Sequence, residues 1–255
     1  MRRLISLVSS LLALVACGPE AVTQQPPARL VLASTSVAPF DAELASTAAL
    51  STGLTTVWLT VKDQGKPVTD ATVMLMPVMT MPTKSHACPV VGETVHEGNG
   101  VYRGQLVFQM PSADMGTWSL SAKVVRGGVE SKLTFDALAV GDSGLARSFV
   151  SGDAKYVMSV SYPEALKVGL NPVVVTLHRM QDMMTFPAFD DATLEMVPEM
   201  PAHGHGSSNN VAPTLKAPGR YEGVVNFSML GDWKTTFTVK SAAGVMTTQS
   251  IDTKL

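Results

Sequence analysis

Met200, His203, His205 and Met229 are the residues of this sequence whose types and spacing can do chemistry. Met200-Pro201 leads into Ala202-His203-Gly204-His205-Gly206, a stretch too polar and glycine-rich for a strand, and Met229 closes Asn226-Phe227-Ser228-Met229. Thioether sulfur is soft and imidazole is borderline, so the set favours copper, Cu(I) above all, over magnesium, calcium or manganese, which take oxygen ligands. A thioether binds without losing a proton and forms no disulfide, which suits a copper ligand outside the cytoplasm. Met200, His205 and Met229 are expected to hold one ion, with His203 or Met196 completing the shell.

The chain carries a second copy of the triple. Sliding the sequence by 119 residues pairs Met81-Pro82 with Met200-Pro201, His86 with His205, and Met110 with Met229. Met81, His86 and Met110 therefore form a weaker or vestigial equivalent, and Cys88 takes the part of fourth donor that His203 has in the second domain. The other methionines, of fifteen in all, divide by context. Met74 and Met76, in Thr72-Val73-Met74-Leu75-Met76, are expected to fill gaps in the core. Met180, Met183 and Met184 lie in a loop five residues longer than its counterpart after Lys62 and have less packing reason to be there. His178 aligns with Lys62 and is expected to be exposed; His96 has no histidine partner in the repeat and reads as surface.

These residues need a scaffold, and the apolar pattern supplies one. From Leu54 onward it has period two in short runs, such as Val57, Leu59 and Val61, then Val173, Val175 and Leu177, punctuated by Gly98-Asn99-Gly100 and Ala217-Pro218-Gly219. No amphipathic stretch exceeds three helical turns. The shift of 119 also pairs Gly100 with Gly219, Tyr102 with Tyr221 and Phe108 with Phe227; Trp118 matches Trp233 after a four-residue deletion, and Pro77 matches Pro198 if two residues are deleted upstream of Met81. The fold class expected is all-β: two tandem antiparallel β-sandwiches, residues 53–146 and 147–255, joined near 141–153.

The start of the chain reads as an address. Arg2-Arg3, the apolar stretch Leu4 to Val15 and Leu14-Val15-Ala16-Cys17 have the layout of a secretory signal, and the last four residues resemble the lipobox of bacterial lipoproteins. Residues 1–16 would be removed, Cys17 acylated, and residues 17–52, rich in Pro, Ser, Thr and Ala, would tether the folded part, with Leu30-Val31-Leu32 as a possible first strand. A lipid anchor on the membrane follows, and Gly18 after the cysteine fits the outer membrane, facing the periplasm. With Cys17 carrying lipid, Cys88 is the only thiol, so no intramolecular disulfide is expected.

Leu194-Glu195-Met196-Val197-Pro198-Glu199-Met200-Pro201-Ala202-His203-Gly204-His205-Gly206, then Gly219-Arg220-Tyr221, Asn226-Phe227-Ser228-Met229 and Gly231-Asp232-Trp233, resembles the YtkA-like domain family, related to FixH-type proteins. The resemblance is fuller over 165–245 than over 54–125, where Thr83-Lys84-Ser85-His86-Ala87-Cys88 lacks the His-Gly-His-Gly. It implies immunoglobulin-like sandwiches outside the cytoplasmic membrane. It also implies a link to copper handling or to assembly of respiratory oxidases, so that an envelope copper protein or such an oxidase is the expected partner.

Other classes fall away. Nineteen Lys+Arg against twenty-one Asp+Glu leave no basic excess, and no Lys/Arg run exceeds two, which disfavours nucleic acid. No Gly-x-Ser-x-Gly, Ser-x-x-Lys, His-Glu-x-x-His or P-loop suggests an enzyme. A copper carrier, buffer or metallochaperone stands against a metal-free lipoprotein whose Met-rich loops dock another envelope protein.

Overall fold

The computed structural model describes residues 28–112 and 116–255. The signal residues 1–16 and Cys17 lie outside the described part. The first domain runs through β1 (Leu30–Val37), β2 (Phe40–Ser46), β3 (Gly53–Asp63), β4 (Lys66–Pro67), β5 (Thr72–Thr80), β6 (Ser85–Ala87), β7 (Val95–Gly98), β8 (Val101–Phe108), β9 (Thr117–Arg126) and β10 (Val129–Leu138). The second runs through β11 (Ala146–Ser151), β12 (Ala154–Ser161), β13 (Gly169–Met180), β14 (Thr193–Met200), β15 (His205–Gly206), β16 (Val211–Ala217), β17 (Arg220–Phe227), β18 (Asp232–Ser241) and β19 (Gly244–Lys254).

Each domain is two antiparallel sheets face to face. In the first, the order β1-β2-β3-β8-β7, with β4 on β3, faces β10-β9-β5-β6. In the second, β11-β12-β13-β17-β16 faces β15-β14-β18-β19. Strand for strand the two orders are the same, so the protein is a duplicated immunoglobulin-like sandwich. One correction follows for the N-terminal part: Leu30–Ser46 is not tether but the counterpart of β11 and β12. Alternate residues Phe40, Ala42 and Leu44 of β2 enter the core. The first repeat therefore begins near residue 30 rather than 53. The join is also shorter than 141–153: β11 already starts at Ala146, and Gly152-Asp153 forms the turn of the β11–β12 hairpin.

The repeat positions hold their roles. Tyr102 and Tyr221 are buried on β8 and β17, and their hydroxyls donate to the backbone carbonyls of Val68 and Phe189 at 2.9 Å each. Trp118 and Trp233 fill equivalent core places against Phe108 and Phe227, with ring centroids 5.0 and 5.4 Å apart. Gly100 and Gly219 have φ of 72° and 65°, and each carbonyl accepts a 2.8 Å bond, from Val61 N–H and Leu177 N–H respectively. A Cβ at Gly219 would come within 2.7 Å of the Leu177 oxygen. Gly219→Ala is expected to cost about 2–3 kcal/mol, from the left-handed backbone plus that clash, read as a lower midpoint in urea.

The sandwiches pack on one another through the six-stranded sheet of the first and the five-stranded sheet of the second. Val157, Ser159, Val174, Thr176 and His178 alternate with the core residues of β12 and β13 and so point outward, yet all are buried. The first domain covers them. Trp58 and Gln105 share a groove with Val174 and Arg220, and the Ala87 N–H donates to the Met183 carbonyl at 2.8 Å. Burial of His178 corrects the expectation of an exposed residue: its aligned partner Lys62 has no second sandwich over it and is exposed.

Candidate metal centre

Met200 is the last residue of β14, whose inward side chains are Leu194, Met196, Pro198 and Met200. Opposite it in the short β14–β15 ladder stands His205, and the intervening turn closes by bonds from the His203 and Gly204 N–H groups to the Met200 carbonyl, 3.0 Å each. Directly paired residues on antiparallel strands lie about 5 Å apart at Cα, so thioether and imidazole start within reach of one ion. Met229 reaches the same end from the other sheet. The Trp233 indole N–H donates to the Met229 carbonyl at 3.0 Å, pinning the turn after β17. A Cβ on Gly231 would sit 2.6 Å from the Met200 methyl, so the Met200 thioether lies against that turn. Met229 is 40% exposed and not part of the core, as a ligand there requires.

The His205 imidazole is set for ligation through Nε2. His205 Nδ1 lies 3.0 Å from the Gly206 carbonyl, which needs the proton on Nδ1 and leaves the Nε2 lone pair available. The His205 ring meets Trp233 edge to face at 6.1 Å between centroids, and the exposed His203 ring lies 5.9 Å from it. Among the described residues no three His, Cys, Asp or Glu side chains gather as a metal group, so a metal at this end depends on thioether sulfur. The donor set present, two thioethers and one or two imidazoles, fits Cu(I) and suits hard cations poorly.

The first domain repeats this geometry with one change of register. His86 Nδ1 is 2.8 Å from the Ala87 carbonyl, its ring meets Trp118 at 5.5 Å, and the Trp118 indole donates to the Met110 carbonyl at 3.0 Å. Opposite His86, however, stands Met79, which also pairs with Trp118. Met79, fully buried, therefore occupies the place of Met200, and not Met81. Met81 sits two residues on, against the same glycine: a Cβ on Gly116 would lie 3.0 Å from Met81 Cγ and 3.1 Å from Met79 Cε.

The model of the YtkA-like family matches residues 35–123 and again 151–238. The chain belongs to the YtkA-like family. Both matched segments begin at corresponding points of the two repeats, near the ends of β1 and β11. Among solved structures, it is similar to a conserved domain protein from Bacillus anthracis at 8% identity, covering 89% of this chain and 91% of that one with a TM-score of 0.39. It is also similar to the adhesin InvE of Yersinia pseudotuberculosis at 15% identity, covering 81% and 56% with a TM-score of 0.25. Likenesses that distant do not bear on function. No curated protein matches the chain.

Within the YtkA-like pair, several residues fall away from the end cluster. Met196 is buried in the core opposite Phe237, four residues and so about 13 Å along β14 from Met200, too far to share its shell. Met74 and Met76 are not core gap-fillers: the inward residues of β5 are Val73, Leu75 and Met79, and Met74 is 45% exposed on the outer face. Met79 is the site residue that the alignment missed, and Pro77 matching Pro198 was the signal for it. Cys88 is buried in the first core, and burial pushes its thiol well above the ordinary range.

Proposed function

We propose that this YtkA-like protein is an envelope lipoprotein that binds Cu(I) at the end of its second sandwich, acting as a copper carrier, buffer or metallochaperone. Met200, His205 and Met229 hold the ion and His203 closes the shell. The observation that supports this most is the placement of Met200 against both His205 and the Met229–Gly231 turn, with His205 Nδ1 tied to a carbonyl so that Nε2 is left to bind. The thioethers bind without losing a proton, and His203 and His205 are exposed, which favours exchange with a partner. The anchor is the acylated Cys17. Described strands begin at Leu30, so twelve residues, 18–29, would separate lipid from fold, a reach of at most about 40 Å. Release of the protein into the soluble fraction with an unlipidated N-terminus would remove the lipoprotein part of this reading.

One observation favours docking without metal: Leu230, beside Met229, is 71% exposed at the tip of the turn. Competition with a Cu(I) chelator separates the two. The chain from Ala28 onward is expected to take up Cu(I) stoichiometrically, and Met200→Leu with His205→Ala to weaken the second-domain site by at least about a hundredfold without unfolding, since Met→Leu nearly conserves volume. Unchanged affinity in the double variant would leave docking as the better reading.

A further inference from the structure

We infer that the first domain carries a second soft-metal site, Met79, His86 and Met110, and that the Gln181–Thr185 turn of the second domain is its lid. This rests on reading the second-domain end as a Cu(I) site, whose arrangement it shares. The two ends match in the cross-strand pair (Met79 with His86, Met200 with His205), in the bond from Nδ1 to the next residue's carbonyl, and in the tryptophan indole that holds the third methionine's backbone. They differ in access. His86, Ala87 and Cys88 are buried, whereas His205 and Gly206 at the same places on β15 are exposed.

What covers β6 is the other domain. The edge of β15 is open, but on β6 the Ala87 N–H bonds to the carbonyl of Met183. The turn that brings Met183 there is self-supporting: Gln181 N–H donates to the Thr185 carbonyl at 3.0 Å, and Met184 N–H to Asp182 Oδ1 at 2.7 Å. This is the loop that is five residues longer than its counterpart after Lys62, so the extra length is what reaches across. Beneath it, Gln109 Nε2 donates to the Ala87 carbonyl at 2.9 Å, fixing the acceptor that orients His86. With the turn held over the β6 edge of the site, an ion of the Cu(I) class bound by Met79, His86 and Met110 leaves faster once the turn lifts, whereas one at Met200, His205 and Met229 meets solvent directly. The pair of sites then divides into a slow store and a fast exchanger.

The test is anaerobic stopped-flow release from the full chain loaded with two equivalents of Cu(I), using excess bicinchoninate as acceptor. Two phases of one equivalent each are expected, the slow one at least about tenfold slower. Met200→Leu with His205→Ala should remove only the fast phase, and Met79→Leu only the slow one. Replacing Gln181–Thr185 by Gly-Gly should accelerate the slow phase at least about tenfold while leaving two equivalents bound. A wild type that releases a single equivalent, a slow phase that survives Met79→Leu, or a slow rate unchanged by the turn replacement overturns the inference. A wild type that keeps the slow equivalent and lacks the fast one would instead overturn the reading of the second domain alone.

Discussion

A chain cut to begin at Gly53 is expected not to fold its first domain. The cut removes β1 and β2, and with them Phe40, Ala42 and Leu44, which are almost wholly buried in the first core, and the partner strand of β3 over Trp58 to Asp63. Burying a Phe or Leu side chain stabilises by about 1.5–3 kcal/mol each. The lost ladder and the core left open to water add to this, so the loss exceeds about 5 kcal/mol. Domains of this size have about 5–15 kcal/mol in total. Circular dichroism of residues 53–146 alone, against residues 28–146, should show cooperative unfolding only in the longer piece. A sharp transition in the shorter one would mean that β1 and β2 are an accessory hairpin rather than part of the sandwich.

Stability is expected to fall by about 3 kcal/mol between pH 7.5 and pH 4 through His178 alone. Burial lowers its pKa to about 4, against an ordinary 6.5, with the nearby Asp190 opposing only in part; among the described residues its Nδ1 has no partner. The folded state keeps the ring neutral while the unfolded chain protonates it below 6.5. The stabilisation is thus complete above that value and lost as pH falls toward 4, at about 1.4 kcal/mol per unit. Carboxylates titrate in the same window, so the measurement is a difference. Urea unfolding of wild type and His178→Phe at both pH values should show a smaller acid loss in the variant. Equal losses would mean that His178 is protonated, or reaches water, in the folded protein.

Much of this architecture was legible because strand patterns and repeats are local. Period-two runs marked the sheets, and pairs such as Gly100 with Gly219 and Tyr102 with Tyr221 fall on equivalent positions because each meets a fixed geometric demand. What was not legible depends on contacts the sequence does not display. In β1 and β2 the alternation of Phe40, Ala42 and Leu44 is diluted by Ser, Thr and Ala, so a strand pair read as tether. The Met-Pro dipeptide drew Met81 onto Met200, whereas the ladder puts Met79 there: Met79 and His86 are seven residues apart, Met200 and His205 five, and the two-residue difference lies in the turn, not before it. Met74 and Met76 share a period-two face, but periodicity alone does not say which face is inside. The burial of His178 and the docking of Met183 on Ala87 arise from the second sandwich lying against the first, and no local pattern encodes that.

Copper K-edge X-ray absorption on the chain from Ala28 carrying Met79→Leu and His86→Ala, so that the first-domain donors are removed, and loaded with one equivalent of Cu(I), examines the second-domain site most directly. Binding by Met200, Met229 and His205 requires a sulfur shell at about 2.3 Å together with imidazole nitrogen at about 2.0 Å, and the sulfur signal should fall in Met200→Leu with Met229→Leu. A spectrum with nitrogen or oxygen alone, or a sulfur shell unchanged in that double variant, would contradict a thioether–imidazole copper site at the end of the second sandwich.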